Sequence, residues 1–311
     1  MSKARVTLIT TVLNEQRALP RLLASILASR KLPDEVVFAD AGSRDATIPL
    51  IEEFARTAPF EVKLIMAAGN RSKGRNEAIR AATHEVIACT DAGCDLDPGW
   101  LGMITAPLLS GRADVVSGGY ACHGDTWYER TIGAVTVATW GIRADTFLPS
   151  ARSVAFTKAA WTRVGGFPEG LDFAEDTAFA LALRRDGRRF DFAPQASVRW
   201  RPRQGVRQVW LQLYSYARGD ARAQVLGANY ARLFFRYGIW SALTVACLLD
   251  TRTTWVWLVA FVPYWSVWSI AGWRAAHDVR AILVAPLVKL VADCGKMAGY
   301  FDGLRRRFGS D

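Results

Sequence analysis

The tripeptide Asp-Ala-Gly occurs twice in this chain, beginning at Asp40 and at Asp91, and each copy directly follows a short apolar run. The runs, residues 35–39 and 86–90, are typical of buried strands. An acid at the carboxyl end of a parallel strand points into the crevice where open α/β sheets bind their ligands. The two copies therefore predict one ligand site with Asp40 and Asp91 in it.

Strand-like and helix-like segments alternate along the first half of the chain, beginning with a β-branched run at 6–12 and a leucine-rich helix after it. This alternation predicts an α/β fold with a mostly parallel sheet covered on both faces. We expect this first domain to span residues 1–203. The pattern becomes irregular after residue 118, where we expect active-site and acceptor loops.

The remainder of the chain predicts amphipathic and membrane helices. Residues 206–217 place their apolar side chains on one helical face, which predicts an amphipathic helix at a membrane surface within 204–232. A helix packed on its own domain is the alternative. Nearly uncharged stretches predict a hairpin over 237–273, although a crossing needs about 20 apolar residues and the first stretch is marginal. An interfacial helix over 279–300 completes the membrane-associated region 233–311.

Composition favours a partner with negative charge. The formal net charge is +10 and 51% of the residues are hydrophobic, as expected for a soluble part joined to a membrane part. An anionic bilayer or a phosphorylated substrate would suit this charge. The sequence contains no nucleic-acid-binding signature, so we expect no nucleic-acid partner. Five cysteines without a CxxC pair indicate a reduced, cytoplasmic protein.

The sequence has neither a P-loop nor a GxGxxG fingerprint, so a nucleotide would have to bind through other groups. Asp40 can accept a hydrogen bond from a base or a ribose hydroxyl. A basic loop at 69–76 can bring Arg71 and Arg75 toward phosphate. Asp91 can hold a hard cation, Mg²⁺ or Mn²⁺, beside a diphosphate. A carboxylate of the Glu175-Asp176 pair at a helix start could deprotonate an acceptor hydroxyl.

Six short motifs occur in the order found in a known family. They are Val12-Leu13-Asn14-Glu15, Asp40-Ala41-Gly42-Ser43-Arg44-Asp45, Arg75-Asn76, Asp91-Ala92-Gly93, Gly165-Gly166-Phe167 and Glu175-Asp176. In these residues the chain resembles the family 2 glycosyltransferases of the GT-A fold. The resemblance implies an inverting transferase that uses a nucleotide-diphosphate sugar and a divalent metal.

The resemblance also implies roles for individual residues. Asp176 would be the general base, with Glu175 beside it, and Asp91 would bind the metal and the diphosphate. The nucleotide-sugar site would comprise Asn14, Glu15, Asp40, Arg71, Arg75 and Asp91.

Two departures from the family pattern affect these expectations. The metal motif is commonly Asp-x-Asp, and its last position is Gly93 here, so either Asp95 supplies the second acid or Asp91 acts alone. Processive members carry Gln-x-x-Arg-Trp, whereas residues 195–200 are one residue longer. We therefore expect transfer of a single sugar.

Together these features predict a glycosyltransferase at the cell inner membrane, with its catalytic domain on the cytoplasmic face and a lipid-linked or membrane-proximal acceptor. Two alternatives stay open. A polyprenyl-phosphate glycosyl synthase would use the lipid phosphate itself as acceptor. A noncatalytic membrane scaffold would bind the nucleotide sugar without transferring it.

Overall fold

The computed structural model describes residues 5–136 and 147–308. Residues 137–146, which belong to the irregular segment expected to carry acceptor loops, lie outside the described residues. The chain divides into two compact units. The first comprises the described parts of Met1–Ala121 and Gly141–Trp200, and the second those of Cys122–Trp140 and Arg201–Asp311.

An eight-stranded mixed sheet forms the centre of the first unit, in the order β3-β2-β1-β4-β7-β6-β8-β5. The strands are β1 (Val6–Val12), β2 (Glu35–Asp40), β3 (Glu61–Met66), β4 (Val86–Cys89), β5 (Cys94–Leu96), β6 (Val115–Cys122), β7 (Val154–Thr157) and β8 (Phe190–Trp200). Strands β1 to β4 are parallel neighbours, whereas β7 pairs antiparallel with β4 and β6, and β5 with β8. Both Asp-Ala-Gly copies follow strands of the parallel half, as the sequence predicts.

Helices cover both faces of this sheet. They are α1 (Leu19–Leu27), α2 (Thr47–Thr57), α3 (Arg71–Ala81), α4 (Trp100–Leu109), α6 (Lys158–Arg163) and α7 (Glu175–Arg185). Consecutive residues of β1 enter different apolar clusters: Leu8 packs with α1, α2 and α4, and Ile9 packs with α3, α6 and α7. Every residue of β2 and of β4 is buried, as expected for parallel strands enclosed on two sides.

The segment 69–76, which the sequence predicts as a basic loop, is helical from Arg71 onward, so the loop prediction is wrong for residues 71–76. The reason is local: Asn70 caps α3, its side-chain oxygen accepting the backbone N–H of Lys73 at 3.0 Å. Helix α7 begins at Glu175 and includes the Glu175-Asp176 pair in its first turn. It follows Ala174, whose φ of 63° is left-handed.

The second unit is helical. It contains α5 (Trp127–Thr136), α8 (Val206–Arg222), α9 (Gly227–Leu249), a 3₁₀ turn (Thr251–Thr253), α10 (Thr254–Ala276) and α11 (Ala281–Phe308). The apolar face of α8, predicted to lie on a membrane surface, instead packs inside this unit. Its residues Val209 and Leu213 form a buried cluster with Ile132 of α5 and Val288 of α11. The alternative weighed for this helix, packing within its own domain, describes the structure.

Helices α9 and α10 are both long and apolar enough to cross a membrane. Large apolar side chains on them face outward, and Phe235, Leu249 and Trp255 are each more than half exposed. A polar cluster, which includes a hydrogen bond from Tyr264 of α10 to Asp293 at 3.3 Å, holds these two helices to α11. Asp293, which is fully buried, accepts hydrogen bonds from Arg236 at 2.8 Å and Tyr237 at 3.1 Å, and it is also ion-paired with Lys289. We call this group the Asp293 cluster.

Candidate active site

Arg75 on α3 joins two of the predicted acids. Its Nη2 donates to Oδ1 of Asp91 at 2.9 Å, and its Nη1 donates to Oε1 of Glu175 at 2.6 Å. Arg75 is only 2% exposed; its contact with Glu175 is buried, and its contact with Asp91 is partly buried. Such charge-assisted bonds are among the stronger hydrogen bonds in proteins. The loop after β4 and the start of α7 are therefore fixed to one guanidinium.

The two carboxylates that Arg75 binds differ electrostatically. Burial raises the pKa of Glu175, and the charge of Asp176 beside it adds to this, while Arg75 acts in the opposite direction. Burial also acts to raise the pKa of Asp91, but the charges of Arg75 and Arg152 outweigh it and hold that pKa below its usual value. Of these two carboxylates, Asp91 is therefore the one held more firmly in its ionised form.

Asp176 contacts the loop that precedes β7. Its Oδ2 accepts the backbone N–H of Ala151 at 3.2 Å, and its Oδ1 accepts that of Thr177 at 2.8 Å. The same loop is bonded to the strand end that carries Asp91, because the hydroxyl of Thr90 donates to the carbonyl of Arg152 at 2.9 Å. Residues 150–153 thus lie between the two acids.

Arg152 in this loop is a site residue that the sequence reasoning missed. Its Nε lies 4.0 Å from Oδ2 of Asp91, and its guanidinium lies 4.8 Å from the ring centroid of Trp200. Its local sequence shows only an arginine among small residues directly before a strand, and Arg152 belongs to none of the six motifs.

Asp40 is fully buried at the end of β2. Its Oδ2 accepts the backbone N–H groups of Gly42 at 2.7 Å and Ser43 at 2.8 Å, which forms the turn. Its Oδ1 has no hydrogen-bond partner among the described residues. A buried acceptor without a partner is costly, so a ligand donor would lower its free energy.

Asn14 and Glu15 fix the same turn from β1. Asn14 has a left-handed φ of 55°; its N–H donates to the Ser43 hydroxyl at 2.9 Å, and its side-chain oxygen accepts the N–H of Arg44 at 2.9 Å. The N–H of Glu15 donates to the Thr47 hydroxyl at 2.8 Å. The described contacts of both residues therefore shape the turn after Asp40.

Arg71 is the exposed first residue of α3, and its guanidinium lies 5.5 Å from the ring centroid of Phe173, just before Glu175. It differs from Arg75 in having its charge accessible at a helix N-terminus, a place that favours anions. The two arginines of the predicted basic loop therefore have different roles, one exposed and one buried.

Asn76 anchors the Gly-Gly-Phe turn. Its side-chain oxygen accepts the N–H of Phe167 at 2.9 Å and the indole N–H of Trp161 at 3.0 Å, and its amide nitrogen donates to the carbonyl of Phe167 at 2.8 Å. A Cβ on Gly166 would lie 2.8 Å from that same oxygen. The Arg75-Asn76 pair thus has two structural functions, one on each side of α3.

Asp95 lies apart from these contacts. It is ion-paired with Arg21 of α1. Within the described residues no group of three or more His, Cys, Asp or Glu side chains is placed to hold a metal ion. Asp91 is 35% exposed, and its Oδ2 accepts no hydrogen bond from the described residues. This oxygen fits a hard cation whose remaining ligands come from diphosphate and water.

The mixed sheet, the acids at its parallel strand ends and the helix-borne Glu175-Asp176 pair define a GT-A type glycosyltransferase domain. The family model for glycosyl transferase family 2 matches residues 7–164, just over half of the chain, and that for glycosyl transferase family group 2 matches residues 86–273. The chain belongs to glycosyltransferase family 2.

Two curated relatives match parts of the chain. An uncharacterized glycosyltransferase of a Nostoc species is 34% identical over 89 residues, which is 28% of each chain. An undecaprenyl-phosphate 4-deoxy-4-formamido-L-arabinose transferase of Proteus mirabilis is 28% identical over 134 residues, covering 41% of this chain and 40% of the relative. The chain thus matches well under half of either relative's length.

Solved structures share the fold over almost the whole chain. A mannosyltransferase from Pyrobaculum calidifontis, in complex with GDP-Man and Mn²⁺, has a TM-score of 0.58 at 19% identity and covers 100% of this chain and 89% of its own. S. aureus TarS in complex with UDP-GlcNAc has a TM-score of 0.52 at 16% identity, with 96% and 91% covered. At these identities the likeness establishes the fold alone.

Proposed function

We propose that this protein is an inverting, non-processive glycosyltransferase that moves one sugar from a nucleotide-diphosphate donor to a lipid-linked or membrane-proximal acceptor. The observation that carries the proposal is the bridge that Arg75 makes between Asp91 and Glu175. One buried guanidinium fixes the acid assigned to the donor relative to the pair assigned to the acceptor. Fixed separation of reacting groups is a large part of what an enzyme contributes to group transfer.

The donor would bind along the carboxyl ends of the parallel strands. The free Oδ1 of Asp40 would accept a hydrogen bond from the base or the ribose, in a turn that Asn14 and Glu15 hold. Arg71 would place positive charge and helix N–H groups near phosphate. The Mn²⁺ and nucleotide sugars in the similar structures support this assignment by fold.

A divalent ion, Mg²⁺ or Mn²⁺, would be held by Asp91. Asp95 would serve as a second ligand only after leaving Arg21. The ion, when bound, supplies positive charge that offsets the charge developing on the leaving diphosphate. Because Asp91 already binds Arg75, the protein itself offers the ion little negative charge, and most ligands would come from the donor.

Asp176 would act as the general base. The acceptor oxygen forms a bond to the anomeric carbon while its proton passes to the Asp176 carboxylate. On the opposite side the bond to the diphosphate oxygen breaks, and the electron pair leaves with the diphosphate, so the anomeric configuration inverts. Bonds from Ala151 and Thr177 orient Asp176, and each oxygen retains further acceptor capacity. Glu175 would hold Arg75 and the start of α7 in place.

Helices α9 and α10 would attach the enzyme to the inner membrane, with the catalytic domain on the cytoplasmic face. Their length, composition and outward apolar side chains support this. Membrane attachment would suit an acceptor carried by a membrane lipid.

The experiment compares sugar transfer by Asp176→Asn with transfer by the wild type. Asp172→Asn is the matched control, because Asp172 is an exposed acid in the turn that precedes α7. We expect Asp176→Asn to lower sugar transfer by about 100-fold or more, the usual contribution of a general base, while donor affinity stays within about twofold. Asp172→Asn should keep normal transfer. Undiminished turnover in Asp176→Asn would remove this residue as the base.

A polyprenyl-phosphate glycosyl synthase is the second candidate, favoured by the name of the Proteus mirabilis relative. A lipid phosphate is already an anion and needs no strong base. If Asp176→Asn retains activity toward polyprenyl phosphate and loses it toward hydroxyl acceptors, this second function replaces the first.

A further inference from the structure

We propose that the Asp293 cluster, extended by Arg232 and Lys296, binds the phosphate headgroup of an anionic phospholipid. The site belongs to the helical unit, where α9 and α10 meet α11. It depends on the membrane attachment proposed above and on none of the residues assigned to catalysis.

The cluster lies where the charge-free part of the helical hairpin ends. Residues 237–249 of α9 and 254–273 of α10 contain no charged side chain, and Arg236 and Arg274 directly adjoin these stretches. In a helix that enters a bilayer, such a boundary coincides with the layer of lipid headgroups. Arg236 would therefore lie at the depth of lipid phosphates when the hairpin is inserted.

Positive charge exceeds negative charge in this group. Asp293 is the acid shared by Arg236 and Lys289, so the cluster itself has one more cation than carboxylate. Lys296 lies two helical turns after Lys289 on the same face of α11. Arg232 lies one turn before Arg236 on α9, and neither Arg232 nor Lys296 forms an ion pair within the described residues. The excess of positive charge favours an anionic partner.

Arg236 has a hydrogen-bond donor that the protein does not use. Its Nη2 donates to Asp293 at 2.8 Å, whereas its Nε is buried and has no hydrogen-bond partner among the described residues. The guanidinium lies 5.3 to 5.8 Å from the ring centroids of Tyr237, Trp240 and Tyr264, which restrict its position. A donor buried without an acceptor is costly. Because 40% of the side chain is exposed, an oxygen from outside can approach this arginine.

Arg232 adds a second guanidinium one turn away. Residues four positions apart lie on the same face of a helix, and two like charges at this spacing destabilise it. A phosphate between the two arginines reverses this effect, because its oxygens can accept hydrogen bonds from both guanidinium groups. Basic clusters beside membrane helices bind anionic headgroups in this way. The face of α9 that carries Arg232 and Arg236 therefore suits a lipid phosphate.

The test compares phosphatidylglycerol, which is anionic, with phosphatidylcholine, which has no net charge. Each lipid is added at the same mole fraction to the full chain in nonionic detergent, and thermal unfolding is followed by tryptophan fluorescence. Six of the twelve tryptophans lie in α9 and α10, so the signal is weighted toward the helical unit. A ligand that binds only the folded state raises the unfolding temperature. We expect phosphatidylglycerol to raise it by about 2 to 4 °C more than phosphatidylcholine does.

Arg236→Gln and Arg232→Gln should each remove about half or more of this difference, since each takes away one of the two guanidinium groups. The two lipids are compared within each variant, so a general loss of stability in Arg236→Gln cancels. Arg252→Gln is the matched control, because Arg252 is an exposed arginine of the same hairpin at its opposite end, between α9 and α10. It should keep the wild-type difference.

Equal responses of the wild type to the two lipids would overturn the site. A loss in Arg252→Gln as large as that in Arg232→Gln would also overturn it, because the effect would then be a general attraction between a basic protein and anionic lipid. Stabilisation by polyprenyl phosphate and none by phosphatidylglycerol would assign the phosphate to an acceptor lipid instead. These results leave the proposed sugar transfer untouched. Flotation of the full chain with phosphatidylcholine vesicles tests the attachment separately, and a wild type that does not float overturns both attachment and site.

Discussion

Arg75 and Glu175 form a buried ion pair between residues one hundred positions apart, with 2.6 Å between Nη1 and Oε1. Both side chains are more than nine-tenths buried. Neither residue can leave the pair without exposing a charge to an apolar surrounding. The pair is therefore a constraint on the fold as well as a part of the site.

Replacing Glu175 by Gln should destabilise the first unit. Arg75 would lose one of its two charged partners while staying buried, and we expect the free energy of unfolding to fall by about 1 to 3 kcal/mol. Denaturant titration of the full chain in detergent measures this. Glu77→Gln is the control, because Glu77 lies on α3 with Arg75 but is 39% exposed; this change should alter the free energy of unfolding little. An unchanged unfolding free energy in Glu175→Gln would mean that Arg75 is satisfied without it.

Glu35 should make stability depend on pH in acid. Burial alone would raise its pKa, but bonds from Lys63, Thr7 and Thr83 lower it to about 2 from an ordinary 4.5. A carboxylate with a lowered folded-state pKa stabilises the protein above pH 4.5, and this contribution is lost as the pH falls toward 2. The difference in unfolding free energy between wild type and Glu35→Gln should be about 3 kcal/mol near pH 7.

That difference should shrink steadily between pH 4.5 and pH 2, which denaturant titrations at several pH values would measure. Comparing each pH with the variant removes the contribution of the other acids. A difference that is constant across this range would contradict the pKa assigned to Glu35.

Gly165 and Gly166 form a matched pair for testing the turn that Asn76 anchors. Both have left-handed φ values, 79° and 82°. An added Cβ meets nothing within 4 Å at Gly165, but at Gly166 it lies 2.8 Å from both the Asn76 oxygen and the Trp161 indole nitrogen. Gly165→Ala should cost about 1 kcal/mol of backbone strain. Gly166→Ala should lower stability clearly more than Gly165→Ala does, which thermal unfolding of both variants would measure. Equal losses of stability would contradict the close approach of Asn76 and Trp161 to Gly166.

The Asp293 cluster should be essential for packing of the C-terminal helices. Asp293→Ala leaves Lys289 buried without its carboxylate, and breaking a buried pair in this way costs about 3 kcal/mol or more. We expect faster proteolysis of the helical unit in detergent. Adding Lys289→Met to the same chain should recover part of the loss, because it removes the unpaired charge. Asp250→Asn, in the exposed connection between α9 and α10, is the control.

Metal removal should show whether Asp91 or Asp95 binds the ion. If Asp91 alone holds the ion, Asp91→Asn abolishes the gain in nucleoside-diphosphate affinity that Mn²⁺ gives, whereas Asp95→Asn keeps it. Calorimetry with and without EDTA provides the measurement. Loss of the Mn²⁺ effect in Asp95→Asn would show that this acid leaves Arg21 to bind the ion.

The parallel half of the fold could be predicted because its strands are continuous apolar runs that end at an acid and a turn. In the antiparallel half, the short strands and the strand pairing could not be predicted. Strand β5 has three residues and β7 has four, and their pairing depends on partners distant in the chain. The start of α3 was hidden for another reason. It buries Ser72, Arg75 and Asn76, which have helical spacing but are polar, so the sequence shows no apolar helical face here; their polar groups bond to distant segments.

The acids of the site could be located because strand ends and helix starts are local signals. Their partners were less visible. The sequence predicts that Arg75 contacts the donor, but the side chain is buried between Asp91 and Glu175. Its burial depends on the contact with Glu175, which lies one hundred residues further along the chain and could not be predicted from local sequence. Arg152 depends on Trp200 and Asp91, which come from other strands, so no local pattern could identify it.

Arg75 and Asn76 are neighbours on one helix, and one binds the acids while the other binds the Gly-Gly-Phe turn. We therefore expect both sets of contacts to be lost together when α3 unfolds locally. If the first turns of α3 open, the acids lose their common anchor at the same moment as the turn is released. Amide hydrogen exchange in α3, in the turn and at the start of α7 should consequently proceed at a common opening free energy, so that the site is either assembled or absent as a whole.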